Sequence, residues 1–516
     1  MTGSRLSRRT VLKGAAVTGS VMFAPATLRA ADAPRHGGTL RLAIPYNPAS
    51  IDPMTGRNLP DFDVLYACYD SLIDFEPTNL DLKPGLAKSW QWKNETTLLL
   101  NLTDDVQFHD GTPLDADAVK FNLERYRTDP RSNVKADLNA VGSIEVTGKN
   151  AVVLHLRRPN AGLPAILTTR AGLMVSPKSV KDHGPNVDRI AVGTGPFKFV
   201  EWQDNASFTL ARNDKYWRPG LPYLDGIKIS IINELNTVVR AVMAGEADLA
   251  LNLQVPQKLI ADRAGDRLRI QAGPSLVYGT IFLNYGRPPL NDLRVRQALN
   301  YAIDRDELNK VLVAGLGEPS AAILPKEHWA TDPSTIDFYK HDPEKARALL
   351  KEAGFDNGIE LPGYGWPDQV AMQRQELLMA QFAKSGIHVK LTPSQPQQAM
   401  QSFMIEKRAE MLISPTGGYL DPSQAYEVQF AKDALRNASN IEVPGFRALM
   451  DATERTSDQA ARKAAFSKLQ RFVIEQALQV PQYIWPAVTI MSAKLQNVQQ
   501  GLIGIPKYQE MWLRRD

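Results

Sequence analysis

Apolar positions along the chain follow two different spacings, which predict a mixture of strands and helices. Alternating apolar positions in 37–45 and 90–109 are typical of strands with one buried face. Apolar residues at spacings of three and four in 292–304 and 342–355 indicate amphipathic helices, and 369–383 is predicted to form another. Because strands alternate with helices in the second half of the chain, we predict an α/β fold with a mostly parallel sheet.

Polar residues at the ends of these segments predict where two of the helices begin. Asp342 stands where a capping carboxylate is expected, Pro343 takes the first helical position, and Gly354 ends the segment. Asp115 is placed to cap a second helix that begins just after it.

The stretch "SPTGGYLDPSQ" (414–424) follows the apolar run Met411–Ile413, where we predict that a buried strand ends. Loops at the carboxyl ends of strands in α/β sheets often hold ligands. This loop, which we call the glycine loop, has two glycines, one tyrosine and a single acid, Asp421. It is therefore a candidate binding loop that offers little charge.

The 516-residue chain is long enough for two or three domains, and its 43% hydrophobic and 22% charged content is typical of globular proteins. Its formal charge of +4 comes from the first 30 residues. These contain five basic and no acidic side chains: Arg5, Arg8, Arg9, Lys13 and Arg29. The rest carries 55 basic and 56 acidic residues, a net of −1, so we expect no nucleic-acid partner.

Residues 1–30 have the features of an export signal. The segment "SRRTVLK" (7–13) resembles the twin-arginine signal, with Val11 where that pattern prefers phenylalanine. The apolar stretch 15–26 after it is too short to span a bilayer comfortably. We predict a twin-arginine signal peptide, cleavage near 27–34, and a soluble periplasmic protein; an uncleaved membrane anchor is the alternative.

Several kinds of chemistry are disfavoured by what the sequence contains. Cys68 is the single cysteine, so an internal disulfide and a cysteine-based metal site are excluded, and we expect it to be buried. The seven histidines include no H-x-x-x-H pair, and no G-x-S-x-G motif occurs. We therefore expect no metal site, no cofactor and no catalytic residue, with a periplasmic hydrolase as the less favoured alternative.

Six stretches together resemble the family 5 extracellular solute-binding proteins, which serve ABC importers of dipeptides, oligopeptides and nickel. They are "LAKSWQW" (86–92), "VQFHDGTPLDADAVKFNLER" (106–125), "GTGPFKF" (193–199), "NDKYW" (213–217), "LNYGRPPLNDLRVRQALNYAIDR" (283–305) and "DPEKARALLKEAGF" (342–355). They occur in the family's order, and the family pattern can be followed along nearly all of the chain after residue 30.

The resemblance implies a two-lobed α/β periplasmic binding protein of the large type II class, with a ligand cleft between the lobes. Lobe I is expected to comprise 34–273 and 486–516 and to contain an inserted subdomain at about 60–190. Lobe II is expected at 276–484. The chain crosses between the lobes near Gly273–Leu283 and Val480–Pro486, which would form the hinge.

The resemblance also implies how such a protein works. A small solute enters the open cleft, the lobes close around it, and the closed form docks on the transmembrane subunits of an ABC permease. We expect the protein to be a monomer without enzymatic activity. A receptor that signals through a membrane partner would use the same closed form, so transport and signalling remain alternatives.

In the peptide-binding members of the family, a Gly-Trp pair and an aspartate that holds the peptide's ammonium precede Asp-Pro. Anchored on Asp421-Pro422, that pair falls on Ser414-Pro415 and that aspartate on Gly418. A charge-assisted hydrogen bond is worth about 1.5–3 kcal/mol, and a buried charge without its partner costs several kcal/mol more.

Two interpretations therefore remain open. Either a peptide binds with Asp421 or Asp368 as the substitute carboxylate, or the solute is an opine, an amino-acid conjugate, a sugar or a metal chelate. A Gly418→Asp substitution is expected to favour ligands with a free ammonium.

Candidate ligand contacts come from positions that match the family's cleft segments: Tyr46, Asn47, Thr194, Gly195, Tyr278, Asn284, Trp366, Arg374, Gly418, Tyr419 and Asp421. Arg374 is suited to pair with a ligand carboxylate, or it lies on a solvated helix face. Trp366 either faces the cleft or packs on the lobe surface. Asp421 before a proline is equally typical of a turn.

Overall fold

A computed structural model describes residues 33–56, 59–499 and 501–515. The predicted signal peptide, 1–30, lies outside the described residues. Arg35–Asp516 form one unit by their internal contacts. No helix in the described ranges is long and apolar enough to cross a bilayer.

The strands, in chain order, are β1 (Thr39–Ile44), β2 (Ile73–Phe75), β3 (Leu82–Pro84), β4 (Ala87–Asn94), β5 (Thr97–Leu102), β6 (Val141–Gly148), β7 (Ala151–Leu156), β8 (Phe197–Gln203), β9 (Ser207–Arg212), β10 (Gly226–Ile231), β11 (Leu249–Leu253), β12 (Leu268–Leu283), β13 (Glu318–Pro319), β14 (Ile359–Gly365), β15 (Ile387–Pro393), β16 (Met411–Thr416), β17 (Gln479–Ser492), β18 (Leu495–Gln496) and β19 (Trp512–Leu513).

The α-helices are α1 (Leu59–Cys68), α2 (Ala116–Thr128), α3 (Leu163–Ile166), α4 (Pro177–His183), α5 (Leu235–Ala244), α6 (Val255–Ala261), α7 (Leu293–Ala302), α8 (Arg305–Val313), α9 (Pro343–Glu352), α10 (Gln369–Ala383), α11 (Pro396–Met400), α12 (Pro422–Phe430), α13 (Phe446–Glu454) and α14 (Gln459–Glu475). Short 3-10 turns occur at Arg170–Gly172, Gly184–Arg189, Asp262–Arg267, Pro333–Thr335 and Tyr508–Glu510, and a π-helical turn at Gln401–Ile405.

The helix starts predicted from capping residues are confirmed. The Asp342 carboxylate accepts a hydrogen bond from Lys345 N at 2.8 Å, and α9 begins directly after it. Asp115 caps α2 in the same way, through Ala118 N at 3.0 Å. Each cap satisfies a backbone donor that the first helical turn leaves free.

The main sheet has eleven strands in the order β15-β14-β16-β12-β17-β11-β1-β10-β9-β8, with β13 paired to β17. The expectation of a mostly parallel sheet is wrong. The pairs β1–β10, β1–β11, β14–β15 and β14–β16 are parallel, whereas the pairings of β8, β9, β12 and β17 are antiparallel. Helical crossovers create the parallel pairs, but β8 and β9 form a hairpin and β12 and β17 run in opposite directions.

The long strands β12 and β17 pass through the middle of the sheet and belong to both halves of it. Leu268–Pro274 pair with Pro486–Ser492, and Tyr278–Phe282 pair with Gln479–Ile484. The pairing shifts register between Pro274 and Tyr278. Both segments lie where the crossings between the lobes are predicted; the exact lobe boundaries stay a prediction.

Buried apolar residues form separate cores on the two sides of these crossings. One core is built from residues between Tyr278 and Ile484 and contains Leu378, Phe382 and Phe466. A second core is built around β1, β10 and α1 and includes the buried Cys68. A third core fills the four-stranded sheet β4-β5-β7-β6 beside α2.

Candidate functional site

A cavity of about 430 Å³ lies where the two crossings meet both cores. Its lining comes from the predicted inserted subdomain at about 60–190 (Phe62 and Tyr66 of α1, Asp137, Thr169, Arg170), the end of β11 (Asn252, Leu253, Gln254), the crossings (Ser275, Leu276, Val277, Trp485, Pro486, Ala487), the glycine loop and α12 (Gly417, Gly418, Tyr419, Leu420, Gln424), and the segment Leu502–Ile505. Pockets of a few hundred Å³ with mixed apolar and polar walls suit small molecules.

The glycine loop forms one wall of this cavity, but it begins later than predicted. Strand β16 continues through Thr416, because Tyr278, Gly279 and Thr280 of β12 extend its pairing. Only Gly417–Asp421 connect β16 to α12.

Gly418 has no room for a side chain. A Cβ atom built there would lie 2.1 Å from Leu276 Cβ and 2.5 Å from Leu276 O. A side chain at 418 therefore collides with Leu276, and this steric conflict opposes the expectation that Gly418→Asp would favour ligands with a free ammonium.

Asp421 is buried outside the cavity lining, where its hydrogen bonds stabilise the fold. It caps α12, and its two carboxylate oxygens each accept a hydrogen bond from Arg462 at 2.9 Å. Burial alone would raise the pKa of Asp421, but the Arg462 guanidinium and the donors of Ser423 outweigh it and hold the pKa below its usual value. The carboxylate also packs against Gly162 of the inserted subdomain.

Two charged side chains, Arg170 and Asp137, line the described part of the cavity, and both fall in the segment predicted to be the inserted subdomain. The Arg170 guanidinium lies 5.6 Å from the Phe62 ring centroid, and its buried Nη1 has no hydrogen-bond partner in the described ranges. Asp137 Oδ1 accepts a hydrogen bond from Gln424 Nε2 of lobe II at 3.1 Å.

The electrostatics of these two groups follow from their burial. Burial lowers the pKa of Arg170, and the negative charge of Asp137 opposes that shift. Burial raises the pKa of Asp137 to about 6, and Arg170 and the Gln424 hydrogen bond oppose that shift. Each charge is thus only partly compensated by the side chains around it.

Behind the Trp485 wall lies a second buried guanidinium, that of Arg374 on α10. It is 3% exposed and lies 5.7 Å from the Trp485 ring centroid. Two of its guanidinium nitrogens, Nε and Nη1, have no hydrogen-bond partner within the part of the chain that the structure describes. The same is true of the neighbouring Gln482 side-chain amide and of Trp485 Nε1. Burial lowers the pKa of Arg374.

The lobes also touch at the rim of the cleft. Arg158 of the inserted subdomain forms a salt bridge with Glu454 at the end of α13, and Ala161 N donates to Glu454 O at 3.0 Å. Because Asp421 packs on Gly162 nearby, the segment 158–162 contacts lobe II at several points. The two sides of the cleft are therefore in contact in this structure.

Tyr46, Asn47, Thr194 and Gly195 lie away from the cavity lining. Tyr46 is 59% exposed, and the Asn47 amide is engaged by Trp202 Nε1 at 3.2 Å and Asp204 Oδ1 at 3.1 Å. Thr194 Oγ1 donates to Asp70 Oδ2 at 3.3 Å. Gly195 packs so tightly on Cys68 that an added Cβ would lie 2.4 Å from its carbonyl carbon.

Tyr278, Asn284 and Trp366 lie within lobe II. Tyr278 OH donates to Gln429 Oε1 at 2.7 Å, and Asn284 N donates to Glu410 O at 2.8 Å. Trp366 packs against a small core that contains Phe403. Of the eleven predicted contacts, the cavity brings together Gly418 and Tyr419, with Arg374 behind its wall; a role in solute binding stays a prediction for all of them.

Sequence reasoning missed Arg170, Asp137, Gln424 and Trp485. Arg170 could have been found from the sequence, since it is the single charged residue in the otherwise uncharged run 163–175. Asp137 could not, because it lies in a polar segment where any acid is expected to be solvated.

Comparison with known proteins identifies the family of this chain. Residues 81–436 match the middle region of the bacterial extracellular solute-binding proteins, family 5. The chain therefore belongs to family 5, the two-lobed α/β substrate-binding proteins of ABC importers.

Three examples show the kinds of protein that this chain resembles. The chain is 30% identical to the glutathione-binding protein GsiB of Pectobacterium atrosepticum over 353 residues, which cover 66% of each chain. The solved structure of the periplasmic binding protein DppA from Helicobacter pylori with the peptide STSA has a TM-score of 0.80 at 24% identity, covering 93% of this chain and 99% of that one. The binding protein AgaA of A. tumefaciens R10 with agropinic acid also has a TM-score of 0.80, at 22% identity and with 93% and 99% coverage.

Proposed function

We propose that this chain captures a small peptide or peptide-like solute in the cavity between its lobes and delivers it to the transmembrane subunits of an ABC permease. The observation that carries the proposal is the cavity itself. Its lining combines residues of both lobes and both crossings, so a bound solute stabilises the closed arrangement through contacts that neither lobe makes alone.

The walls of the cavity favour a peptide-like solute. Phe62, Tyr66 and Trp485 offer aromatic surface, while Arg170 and Asp137 offer one charge of each sign. Such a lining suits a compact molecule with an amide backbone and both a carboxylate and an ammonium group. The relatives support this class, since one is a glutathione-binding protein and another was solved with a tetrapeptide.

A non-peptide solute, such as an opine, is the second candidate. The observation that favours it is Gly418, where the Leu276 backbone leaves no space for a carboxylate that would hold an ammonium. The binding protein solved with agropinic acid has a similar overall fold. In either case Gly418 and Tyr419 form the wall contributed by lobe II, and Arg374 is placed to support Trp485.

The proposal includes export by the twin-arginine route and action as a periplasmic monomer. It rests on the "SRRTVLK" segment and on the apolar stretch after it. Replacement of Arg8 and Arg9 by lysine should retain the full-length chain in the cytoplasm, which cell fractionation and immunoblotting would detect. Export that is unaffected would contradict the twin-arginine assignment.

Mass spectrometry of small molecules released from freshly purified, denatured protein tests the proposed function. We expect a peptide or an amino-acid derivative, recovered chemically unchanged after incubation with the protein. Titration calorimetry with glutathione, the dipeptide Ala-Leu and agropinic acid then separates the two solute classes. A solute consumed during incubation would instead indicate an enzyme, and the absence of binding to all three compounds would overturn the proposed classes.

A further inference from the structure

We infer that Arg170 and Asp137 of the inserted subdomain form the pair that recognises the two charges of a zwitterionic solute, Arg170 its carboxylate and Asp137 its ammonium. This inference rests on the proposed function and specifies where in the cavity the charged end of the solute binds.

The Arg170 guanidinium is suited to bind an anion. It lies beside the Phe62 ring, its Nη1 is shielded from solvent, and no acceptor in the described ranges uses that atom. A shielded donor of a charged group without a partner is costly. A carboxylate bound in the cavity would satisfy it, and the planar guanidinium suits two parallel hydrogen bonds.

The Asp137 carboxylate is suited to bind a cation. Its Oδ1 accepts from Gln424 Nε2 across the cleft at 3.1 Å, which orients the carboxylate at the point where lobe II meets lobe I. An ammonium bound to the other oxygen would compensate a negative charge that burial disfavours. Because Gln424 belongs to lobe II, the same carboxylate couples recognition of the solute to closure.

The two charges do not neutralise each other directly. Within the described ranges, Arg170 and Asp137 do not form a salt bridge with each other. They nevertheless line one cavity and lie close enough for each to shift the other's pKa. A solute that carries both charges would bridge them, whereas a solute with a single charge would leave one uncompensated.

Within the described ranges, the opposite wall of the cavity has no charged lining residue of its own. Lobe II contributes Gly417–Leu420 and Gln424 to the cavity, without a charged side chain. The acid at the end of the glycine loop, Asp421, is committed to Arg462. The position that resembles the family's ammonium-binding aspartate, Gly418, is closed by Leu276. The charges of the solute are therefore recognised from lobe I, by Arg170 and Asp137.

The test pairs variants with modified probes in calorimetry: Arg170→Gln and Asp137→Asn against Ala-Leu, N-acetyl-Ala-Leu and Ala-Leu amide. With the native protein, each blocked probe should bind about 10- to 100-fold more weakly than Ala-Leu, because it loses one charge-assisted interaction. Acetylation should cost little further affinity in Asp137→Asn, and amidation little further in Arg170→Gln.

Matched controls separate this pairing from a general loss of charge or of fold. Lys135→Gln and Asp117→Asn remove exposed charges from the same subdomain and should leave all affinities unchanged. Arg170→Lys keeps the charge and should retain most of the preference for a free carboxylate. If a neutral variant fails to fold, binding of the blocked probes to the native protein and to Arg170→Lys still tests whether this pair recognises the two charges.

The outcomes are distinct. If Ala-Leu binds but blocking either end changes nothing, or if the penalties are the same in both variants, the recognition pair is wrong while the proposed function stands. If neither Ala-Leu nor glutathione binds the native protein, the proposed peptide function fails and the inference fails with it.

Discussion

His328 is a buried imidazole, 3% exposed, whose Nδ1 accepts a hydrogen bond from Ala330 N at 3.2 Å. Its Nε2 has no partner among the residues that the structure describes. Burial lowers the pKa of His328 from 6.5 to about 4, because a charged ring would lose its hydration there. The neutral ring therefore contributes stability above pH 6.5 that is lost as the pH falls toward 4.

Substitution of His328 by asparagine, whose Oδ1 can still accept from Ala330 N, should weaken this dependence. Between pH 7 and pH 5 the free energy of unfolding of the variant should fall by about 2 kcal/mol less than that of the native protein. Urea unfolding at both pH values measures the difference. His36→Asn, at an exposed imidazole, is the matched control; equal pH dependence in His328→Asn and native protein would contradict the shift.

Gly418 and Gly417 offer a second comparison between single residues. An added methyl at 418 meets Leu276 Cβ at 2.1 Å, whereas one at 417 has no described heavy atom within 4 Å. Gly418→Ala should therefore strain the closed arrangement by about 1–3 kcal/mol and weaken solute binding accordingly. Calorimetry with the solute identified by mass spectrometry should show a larger loss of affinity for Gly418→Ala than for Gly417→Ala, whose added methyl meets no atom of the described residues. Native affinity in Gly418→Ala would mean that the loop leaves Leu276 when solute binds.

At the scale of elements, the segment 158–162 of the inserted subdomain contacts the end of α13. The Glu454 side chain is 6% exposed, and its carboxylate pairs with Arg158. Burial raises the pKa of Glu454 to about 7, and Arg158 opposes that shift. A buried carboxylate that loses its cation is destabilised more than an exposed one, so this ion pair favours contact between the lobes.

Arg158→Gln should therefore speed solute release and weaken affinity several-fold, which corresponds to about 1 kcal/mol. Stopped-flow tryptophan fluorescence would report the release rate through Trp485 in the cavity wall. Arg157→Gln removes the same charge from the neighbouring residue, whose Nη1 donates to Asn139 O within the subdomain at 3.2 Å. Unchanged release in Arg158→Gln would show that the rim contact does not hold the cleft closed.

At the scale of the whole molecule, β12 and β17 carry both crossings between the cores. Their pairing shifts register between Pro274 and Tyr278, so regular hydrogen bonding is interrupted where the lobes meet. Bending concentrated at a few residues at the ends of regular pairing is the usual basis of hinge closure. Two rigid cores joined in this way can separate without loss of their packing.

Small-angle X-ray scattering should accordingly show a smaller radius of gyration with bound solute than without it. The contraction should be reproduced in Arg157→Gln and should require a higher solute concentration in Arg158→Gln. A radius of gyration that stays constant for every compound that calorimetry shows to bind would contradict a hinged mechanism.

The sequence by itself determined the local elements. Capping at Asp115 and Asp342 and the spacing of apolar residues placed α2 and α9 within a residue or two, because these features act over a few positions of the chain. The six quoted stretches also identified the family, which the comparison confirms. The direction of strand pairing was beyond such reasoning, since β12 and β17 meet across some 200 positions.

Only the tertiary structure decided which side chains share the cavity. Tyr46 and Asn47 follow a strand as a ligand loop would, yet they point to the surface and to Trp202, while Arg170 is carried into the cleft by the inserted subdomain. Gly418 was recognised as a missing charge, but its contact with Leu276 explains why no side chain fits there. Contacts between distant segments depend on how whole lobes pack, and no local spacing records that.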